Sequence, residues 1–373
     1  MYDIAIVGAG VNGCSMAYEF SLENKKVIIF DMDGISSGGS GAAGAFISPK
    51  FSKTGDLKEL LNKAFSYSME YYEKNFPTLF KKSRLIHIAK DEDSSKNINE
   101  YKKSTKLELL NTPKDFMSGL SEYANSYENI CMETAVVNAK SICSAMSKGA
   151  KHIKEKVDTL IYDDGQWIIN DVYVAKHVIL STGAYKSVID EPYIKIRGIW
   201  GHRIDVKTST DNPYTIHQDV SISKSENGEL AIGATHDVHY HPQTSNKAYD
   251  IENGRVELLN KARKTIDLED LEVIKDYTGL RSGSSDYMPI VGRVVLSRET
   301  LRSCKNITNG KKYSADDFTY YPNLYILNGS AGYGFVLAPY LAKQLKDFIL
   351  YAKDIDEAIS PVRLFVRWAK RLG

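Results

Sequence analysis

Cysteine is scarce in this chain: four residues in 373, at Cys14, Cys131, Cys143 and Cys304. None stands in a Cys-x-x-Cys pair and four are too few to staple a chain of this length, so a disulfide framework is excluded and reduced thiols are expected. Surplus charge is lacking too. The chain carries 48 lysines and arginines against 47 acids, which argues against a protein coated for nonspecific nucleic-acid binding and leaves only a local basic patch open. No apolar run approaches the roughly 20 residues of a membrane-spanning helix. The first apolar strand begins within a residue of Met1, which leaves no room for a signal peptide. A soluble, cytoplasmic protein is expected. At 373 residues the chain exceeds the size at which a single core keeps growing, about 250–300 residues, so two domains are expected.

What the sequence does have is a strong opening. The apolar run 2–7 leads into Gly8-Ala9-Gly10-Val11-Asn12-Gly13 and then a helix-forming stretch to about Glu23. A strand that enters G-x-G-x-x-G and opens a helix brings backbone N–H groups and the positive end of the helix to one point, where a pyrophosphate can sit. Val27-Ile28-Ile29-Phe30 reads as a second strand and ends in Asp31. That acid stands near the roughly 20-residue spacing expected of the carboxylate that holds the adenosine ribose hydroxyls. The run from Gly34 to Ala45 is glycine, serine and alanine with little else. In isolation it would be a flexible linker; just after a ribose-binding acid it wraps an extended cofactor, because small residues let backbone approach phosphate closely and serine hydroxyls donate to it.

From Asp56, taken as an N-cap, Leu57, Leu60, Leu61, Ala64, Ser68 and Tyr71 share a helical face, and that helix is expected on the nucleotide domain. Residues 84–89 alternate as a strand, and the stretch to about 129 is charged, serine-rich and without clear period. Short strands at 157–162, 167–169, 172–174 and 177–181 form a meander that closes on Ser181-Thr182-Gly183-Ala184. Strands at 199–206 and 230–235, the second entered through Glu226-Asn227-Gly228, suggest a separate antiparallel sheet, and a helix is expected over 250–264. The last third returns to nucleotide-domain grammar: a strand at 325–328, a glycine turn at 329–334, and a helix from Phe335 to about Tyr351. A second helix N-terminus is thereby expected to point inward, able to stabilise negative charge.

Four motifs in this order carry a family resemblance: the G-x-G-x-x-G with Asp31, the Ser181-Thr182-Gly183-Ala184 strand end, the segment Gly279-Leu280-Arg281 through Asp286, Pro289 and Gly292, and the C-terminal glycine turn. Together they resemble the D-amino-acid oxidase family of FAD oxidoreductases over nearly the whole chain. The resemblance implies an α/β (α+β overall) fold: a discontinuous Rossmann-like FAD-binding domain, residues 1–80, 131–195 and 276–373, and a substrate domain on an antiparallel sheet, residues 81–130 and 196–275. It implies FAD as cofactor, contacted by Gly8, Gly10, Val11, Asn12, Gly13, Asp31, Met32, Ser40, Gly44, Val157, Thr182, Gly183, Gly332, Tyr333, Gly334 and Phe335. In such enzymes the flavin takes a hydride from the carbon beside an amine nitrogen and water hydrolyses the resulting imine. Arg281 matches the arginine that grips the substrate carboxylate, which suits a guanidinium fork that stays charged when partly buried; an ion pair with Asp286 or a neighbour is the structural alternative for this residue.

Within the family, residues 232–236 with Asp250, Asn253, Arg255 and Leu258, the Asp286–Gly292 segment, and the tail from Ser360 resemble the FAD-dependent halves of bifunctional enzymes that modify the tRNA wobble uridine. That resemblance implies oxidation of a carboxylate-bearing secondary amine, with removal of the carboxymethyl group of 5-carboxymethylaminomethyl(-2-thio)uridine as glyoxylate. The sequence departs from the pattern in lacking an attached methyltransferase half and in a polar insertion near residues 297–317; if that function holds, methylation is expected to fall to a separate protein or to be absent. In the tail, Phe365, Trp368, Ala369 and Leu372 share one face and Arg363, Arg367, Lys370 and Arg371 the other. Such a basic helix can contact tRNA phosphates, lie on a membrane surface, or dock its apolar face with its charges in water. His236, His239 and His241 lack the cysteine or acids that would complete a metal shell; His236 is placed at the substrate entrance or on a surface loop, and no metal is expected. Three other readings remain: an oxidase or dehydrogenase of free glycine, sarcosine or D-amino acids; a flavin-binding scaffold without turnover; and an NAD-dependent dehydrogenase, which Asp31 alone permits.

Overall fold

The computed structural model describes residues 1–51 and 55–373. Two compact units divide the chain: Met1–Ser40, Lys140–Gly198 and Arg281–Gly373 form the first, Gly41–Ala139 and Ile199–Leu280 the second.

The first unit is built on a mixed sheet of eight strands among the described residues. Tyr2–Val7 lies at its centre, parallel to Val27–Phe30 on one side and to Tyr173–Leu180 on the other. Lys151–Ile153 and Tyr320–Asn328 extend it, also in parallel, and Ile290–Val295 closes one edge antiparallel to Tyr320–Asn328. At the sheet's centre, residues 4–7, 27–30 and 178–180 are apolar and buried because both faces are covered there. Ile6 packs toward the helix Val11–Leu22, where a β-carbon on Gly13 would lie 3.2 Å from its side chain. Ala5 and Val7 point the other way, into a core with Leu364, Phe365 and Ala369 of the tail helix Pro361–Ala369. Register places Val7 opposite both Phe30 and Leu180, and Leu180 opposite Ile326. Four parallel strands therefore end at one edge, the edge where ligands bind in open α/β sheets.

The meander expected before that edge is present in sharper form. Leu160–Asp163 and Gln166–Ile169 make a hairpin that pairs with a single long strand, Tyr173–Leu180, where the sequence suggested two short ones. Asp164 and Gly165 both take positive φ in its turn. In the second unit Glu226–Glu229 closes with Asn227 at φ 56° and Gly228 at φ 77°, the two left-handed residues that a tight hairpin turn requires.

The second unit carries its own eight-stranded sheet among the described residues, ordered Glu272–Ser284, Ile196–Lys207, Glu229–Gly233, Ser221–Ile222, Thr215–His217, Phe80–Ile88, Asn129–Val137, Phe46–Ile47. It is antiparallel where Ile196–Lys207 meets Glu229–Gly233 and where Phe80–Ile88 meets Asn129–Val137, and parallel where Thr215–His217 meets Phe80–Ile88. Helix Ile251–Arg263, capped by Asp250 through the Asn253 N–H at 3.0 Å, buries Leu258 and Ala262.

Four expectations need correction here. Among the described residues, 41–51, 55–80, 131–139 and 276–280, assigned to the nucleotide domain, belong to the second unit, and 196–198, assigned to the substrate domain, belong to the first; Phe46–Ile47 pairs with Asn129–Val137 and draws its neighbours along. Helix Asp56–Asn75 likewise falls in the second unit, beside Phe46–Ile47. Asp56 is its first helical residue, with Gly55 at the cap. The charged stretch after residue 89 contains helix Glu92–Ser104, started by a reciprocal pair in which Asp91 accepts from the Ser94 N–H and Ser94 Oγ from the Asp91 N–H.

Candidate functional site

At the shared edge, the first strand turns into the first helix through three glycines, each fixed by a different steric demand. Gly8 has φ +106°, and a β-carbon there would sit 2.2 Å from the Ser181 carbonyl oxygen, so the crossing of the two strand ends allows no side chain. A β-carbon on Gly13 would lie 1.9 Å from the Gly8 oxygen, so the helix returns against its own turn only with glycine. Gly10 faces Ser40, whose hydroxyl would stand 3.1 Å from a β-carbon and accepts from the Val11 N–H at 2.9 Å. Ser40, from the small-residue run, thus caps the first helix from a distance.

Asp31 fixes the next loop. Its Oδ1 accepts from the Asp33 and Gly34 N–H groups at 3.0 Å and from Ser37 Oγ at 3.2 Å; Oδ2 accepts from the Ala9 N–H at 2.8 Å. Oδ2 therefore keeps lone-pair capacity for a further donor while its orientation is locked. The run 34–40 is no loose linker, since Ser36 also donates its N–H to the Ala9 carbonyl.

The C-terminal glycine turn meets the same edge. Ser330 Oγ donates to Asn12 Oδ1 at 3.1 Å, and Asn328 donates to the Gly183 carbonyl at 2.9 Å. A β-carbon on Gly334 would lie 3.0 Å from Val11, so the N-termini of helices Val11–Leu22 and Gly334–Tyr351 meet. Neither helix has an acid in its first turn, so both positive ends are left for an external anion. Asn328 and Ser330 escaped the sequence reading as site residues, although the first ends the strand and the second lies within the glycine turn that it identified. Donors, glycine cradles and paired helix ends together fit a dinucleotide with a negatively charged head.

The remaining residues divide. Gly8, Gly10, Val11, Asn12, Gly13, Asp31, Ser40, Gly183 and Gly334 converge through the contacts above; Met32 and Thr182 adjoin Asp31 and Gly183 in the chain, and Gly332, Tyr333 and Phe335 lie in and beside the turn. Val157 is 6 % exposed, with its side chain in the core beneath the sheet. Gly44 and His236 belong to the second unit; a β-carbon on Gly44 would lie 2.7 Å from the Phe46 ring, and His236 is in an exposed loop. Arg281 opens the last segment of the first unit, within strand Glu272–Ser284. Burial holds its pKa below the usual arginine value. The Asp286 carboxylate is taken by Arg363 in a two-pronged contact at 2.9 and 3.0 Å, and Arg367 adds a third at 3.3 Å. Burial alone would raise the Asp286 carboxyl, and these arginines with Ser284 hold it below its usual value. Arg363 is consequently not on a solvent-facing basic face; it clamps Asp286 and the Met288 carbonyl at 2.9 Å. On the opposite face, Leu372 is 54 % exposed and lies outside the packed stripe.

A sequence model of the FAD dependent oxidoreductases, the D-amino-acid oxidase group, matches residues 3–348. The chain belongs to that family. It is an FAD-dependent oxidoreductase, with FAD as its cofactor. Among curated proteins it is similar to the tRNA 5-methylaminomethyl-2-thiouridine biosynthesis bifunctional protein MnmC of Legionella pneumophila, 21% identical over 392 residues, which cover 96% of this chain and 56% of the relative. The oxidoreductase thus spans a little over half the length of that relative. Among solved structures, glycine oxidase from Bacillus cereus superposes with a TM-score of 0.74 at 18% identity, covering 95% of this chain and 96% of the other. Iminodiacetate oxidase from a Chelativorans species gives 0.69 at 16%, covering 96% and 98%. At such identities these structures establish the fold. No helix among the described residues is long and apolar enough to cross a membrane.

Proposed function

We propose that this oxidoreductase oxidises a secondary amine bearing a carboxymethyl group, the 5-carboxymethylaminomethyl side chain of a tRNA uridine, with loss of that group as glyoxylate. The observation that carries the reading is Arg281: a half-buried guanidinium in the nucleotide unit, on the segment that matches the family's carboxylate-gripping motif. A desolvated guanidinium binds a carboxylate with paired, charge-assisted hydrogen bonds. The similarity to MnmC along 96% of the chain supports the tRNA substrate. Glycine and iminodiacetate, named for the two structural neighbours, share with that side chain an amine nitrogen, a methylene and a carboxylate in sequence.

FAD when bound supplies the two-electron acceptor for the methylene carbon. The chain's own contribution is positional. Gly8, Gly10, Gly13, Ser40 and Asp31 hold the pyrophosphate and ribose of the cofactor, Arg281 orients the carboxylate, and the amine is accepted neutral, so no side chain need act as base. Hydrolysis of the oxidised C–N bond releases glyoxylate and leaves an aminomethyl group. Nucleoside mass spectrometry of tRNA from cells with and without the gene tests the reading. Carboxymethylaminomethyluridine accumulates in its absence if the reading holds; an unchanged nucleoside profile, with peroxide or dye reduction from free glycine or sarcosine, assigns the protein to the free-amino-acid oxidases instead.

A further inference from the structure

The insertion at 297–317 and the basic tail, separate in sequence, are joined in the fold. Cys304 and Ile307 are buried in the same core as Leu364, Phe365 and Ala369. Beyond the tail helix, a β-carbon on Gly373 would lie 2.9 Å from the Thr308 carbonyl oxygen, so the end of the tail rests on the turn at 306–310. That turn is closed by Lys311 N–H to the Asn306 carbonyl at 3.1 Å, and Tyr313 braces its base by donating to the Lys305 carbonyl at 2.7 Å.

The cations of the two segments therefore fall on one surface. Arg298, Lys305, Lys311 and Lys312 are exposed on the insertion, and Arg367, Lys370 and Arg371 on the tail. Arg302 is offset by Glu299 at 3.9 Å and Arg367 by Asp286 at 3.3 Å, Asp316 is one exposed acid within the insertion, Asp317 is engaged in capping Ser314, and no acid follows Glu357 in the sequence. Lys305, Lys312, Lys370 and Arg371 make no ion pair among the described residues.

We propose that this joined surface, turn 305–312 with tail residues 367–371, binds the phosphate backbone of RNA. The alternative for a basic amphipathic helix is an anionic membrane, which needs an apolar face to insert. Here that face is already used: Leu364, Phe365 and Ala369 are at most 3 % exposed. What remains is a set of spaced point charges in water, the form of surface that gains affinity by releasing counterions from a polyanion. The choice of tRNA as probe rests on the proposed function; the surface does not.

The test uses the full-length, FAD-loaded protein and an unmodified tRNA transcript, with affinity read by fluorescence anisotropy over a salt series. The triple variant Lys311→Glu, Lys312→Glu, Arg371→Glu is compared with Lys106→Glu, Lys207→Glu, Lys224→Glu, which changes net charge equally on exposed positions of the second unit. The expected result is a loss of affinity of at least about 10-fold in the first variant only, with the salt slope reduced in magnitude by about 2–3, near 0.9 for each lost phosphate contact. Equal affinities and slopes in the two variants overturn the proposal, as does wild-type binding to phosphatidylserine vesicles but not to the transcript. Flavin retention and thermal midpoint, unchanged in both variants, show that folding is intact. Because the transcript carries no modification, this result is independent of whether the amine is oxidised: binding without glyoxylate release from modified tRNA refutes the proposed function alone.

Discussion

At Arg281 the functional account rests on one side chain. Its replacement by alanine removes charge-assisted hydrogen bonds of about 1.5–3 kcal/mol, so KM is expected to rise by about 10- to 100-fold while the purified protein keeps its flavin absorbance. Steady-state kinetics with a carboxymethylamine substrate check this, and unchanged kinetics remove Arg281 from the substrate site. Gly8 and Gly13 were legible from sequence because their role is a backbone geometry written into a short motif. Asp286 was not. Its partner Arg363 lies in the tail, and nothing local shows that an acid in a strand-like segment and a helical arginine share a bidentate contact. Asn12 belongs to both cases: the motif placed it at the site, but its bond to Ser330 spans almost the entire chain.

Between elements, a network of ion pairs lies where helices Val11–Leu22 and Gly334–Tyr351 pack. Lys346 contacts Asp347 at 2.8 Å and Glu23 at 2.9 Å, with Glu19 farther away at 4.0 Å. Lys343 and Lys353 also reach Asp347, at 2.8 and 2.9 Å. The lysine charge is thus shared mainly with Asp347 and Glu23, and burial of Glu19, 5 % exposed, raises its pKa to about 7. A carboxyl whose folded pKa is raised favours the protonated form, so its contribution to stability declines as pH rises from about 4.5 to about 7. Glu19→Gln is expected to be more stable than wild type above pH 7, by an amount on the order of 2 kcal/mol that vanishes below pH 4.5. Denaturant titrations at several pH values measure it, and a difference constant across pH contradicts the assignment. This network was not legible because a lysine near the helix end reads as solvated until the packing partner is known. The strands of the meander were, because paired left-handed turn residues mark their ends. Helix Glu92–Ser104 was missed since only Ser95, Ile98 and Tyr101 are buried on it, too little apolar pattern to stand out.

For the whole molecule, the sequence order of motifs revealed a nucleotide unit assembled from discontinuous segments and a second unit with its own sheet, which is mixed rather than purely antiparallel because Thr215–His217 runs parallel to Phe80–Ile88. It misplaced residues 41–80, because the short strand Phe46–Ile47 takes its place only through pairing with Asn129–Val137, a partner remote in the chain. The family assignment explains the convergence of strand ends and helix N-termini on one edge of the first sheet, and the proposed substrate explains an arginine in the adjoining segment. Anaerobic titration of the FAD-loaded protein with tRNA bearing 5-carboxymethylaminomethyluridine tests that central claim most directly. Bleaching of the flavin with one glyoxylate released per flavin is the predicted result; a flavin that stays oxidised with this tRNA, whether or not free glycine or sarcosine bleaches it, would contradict the account.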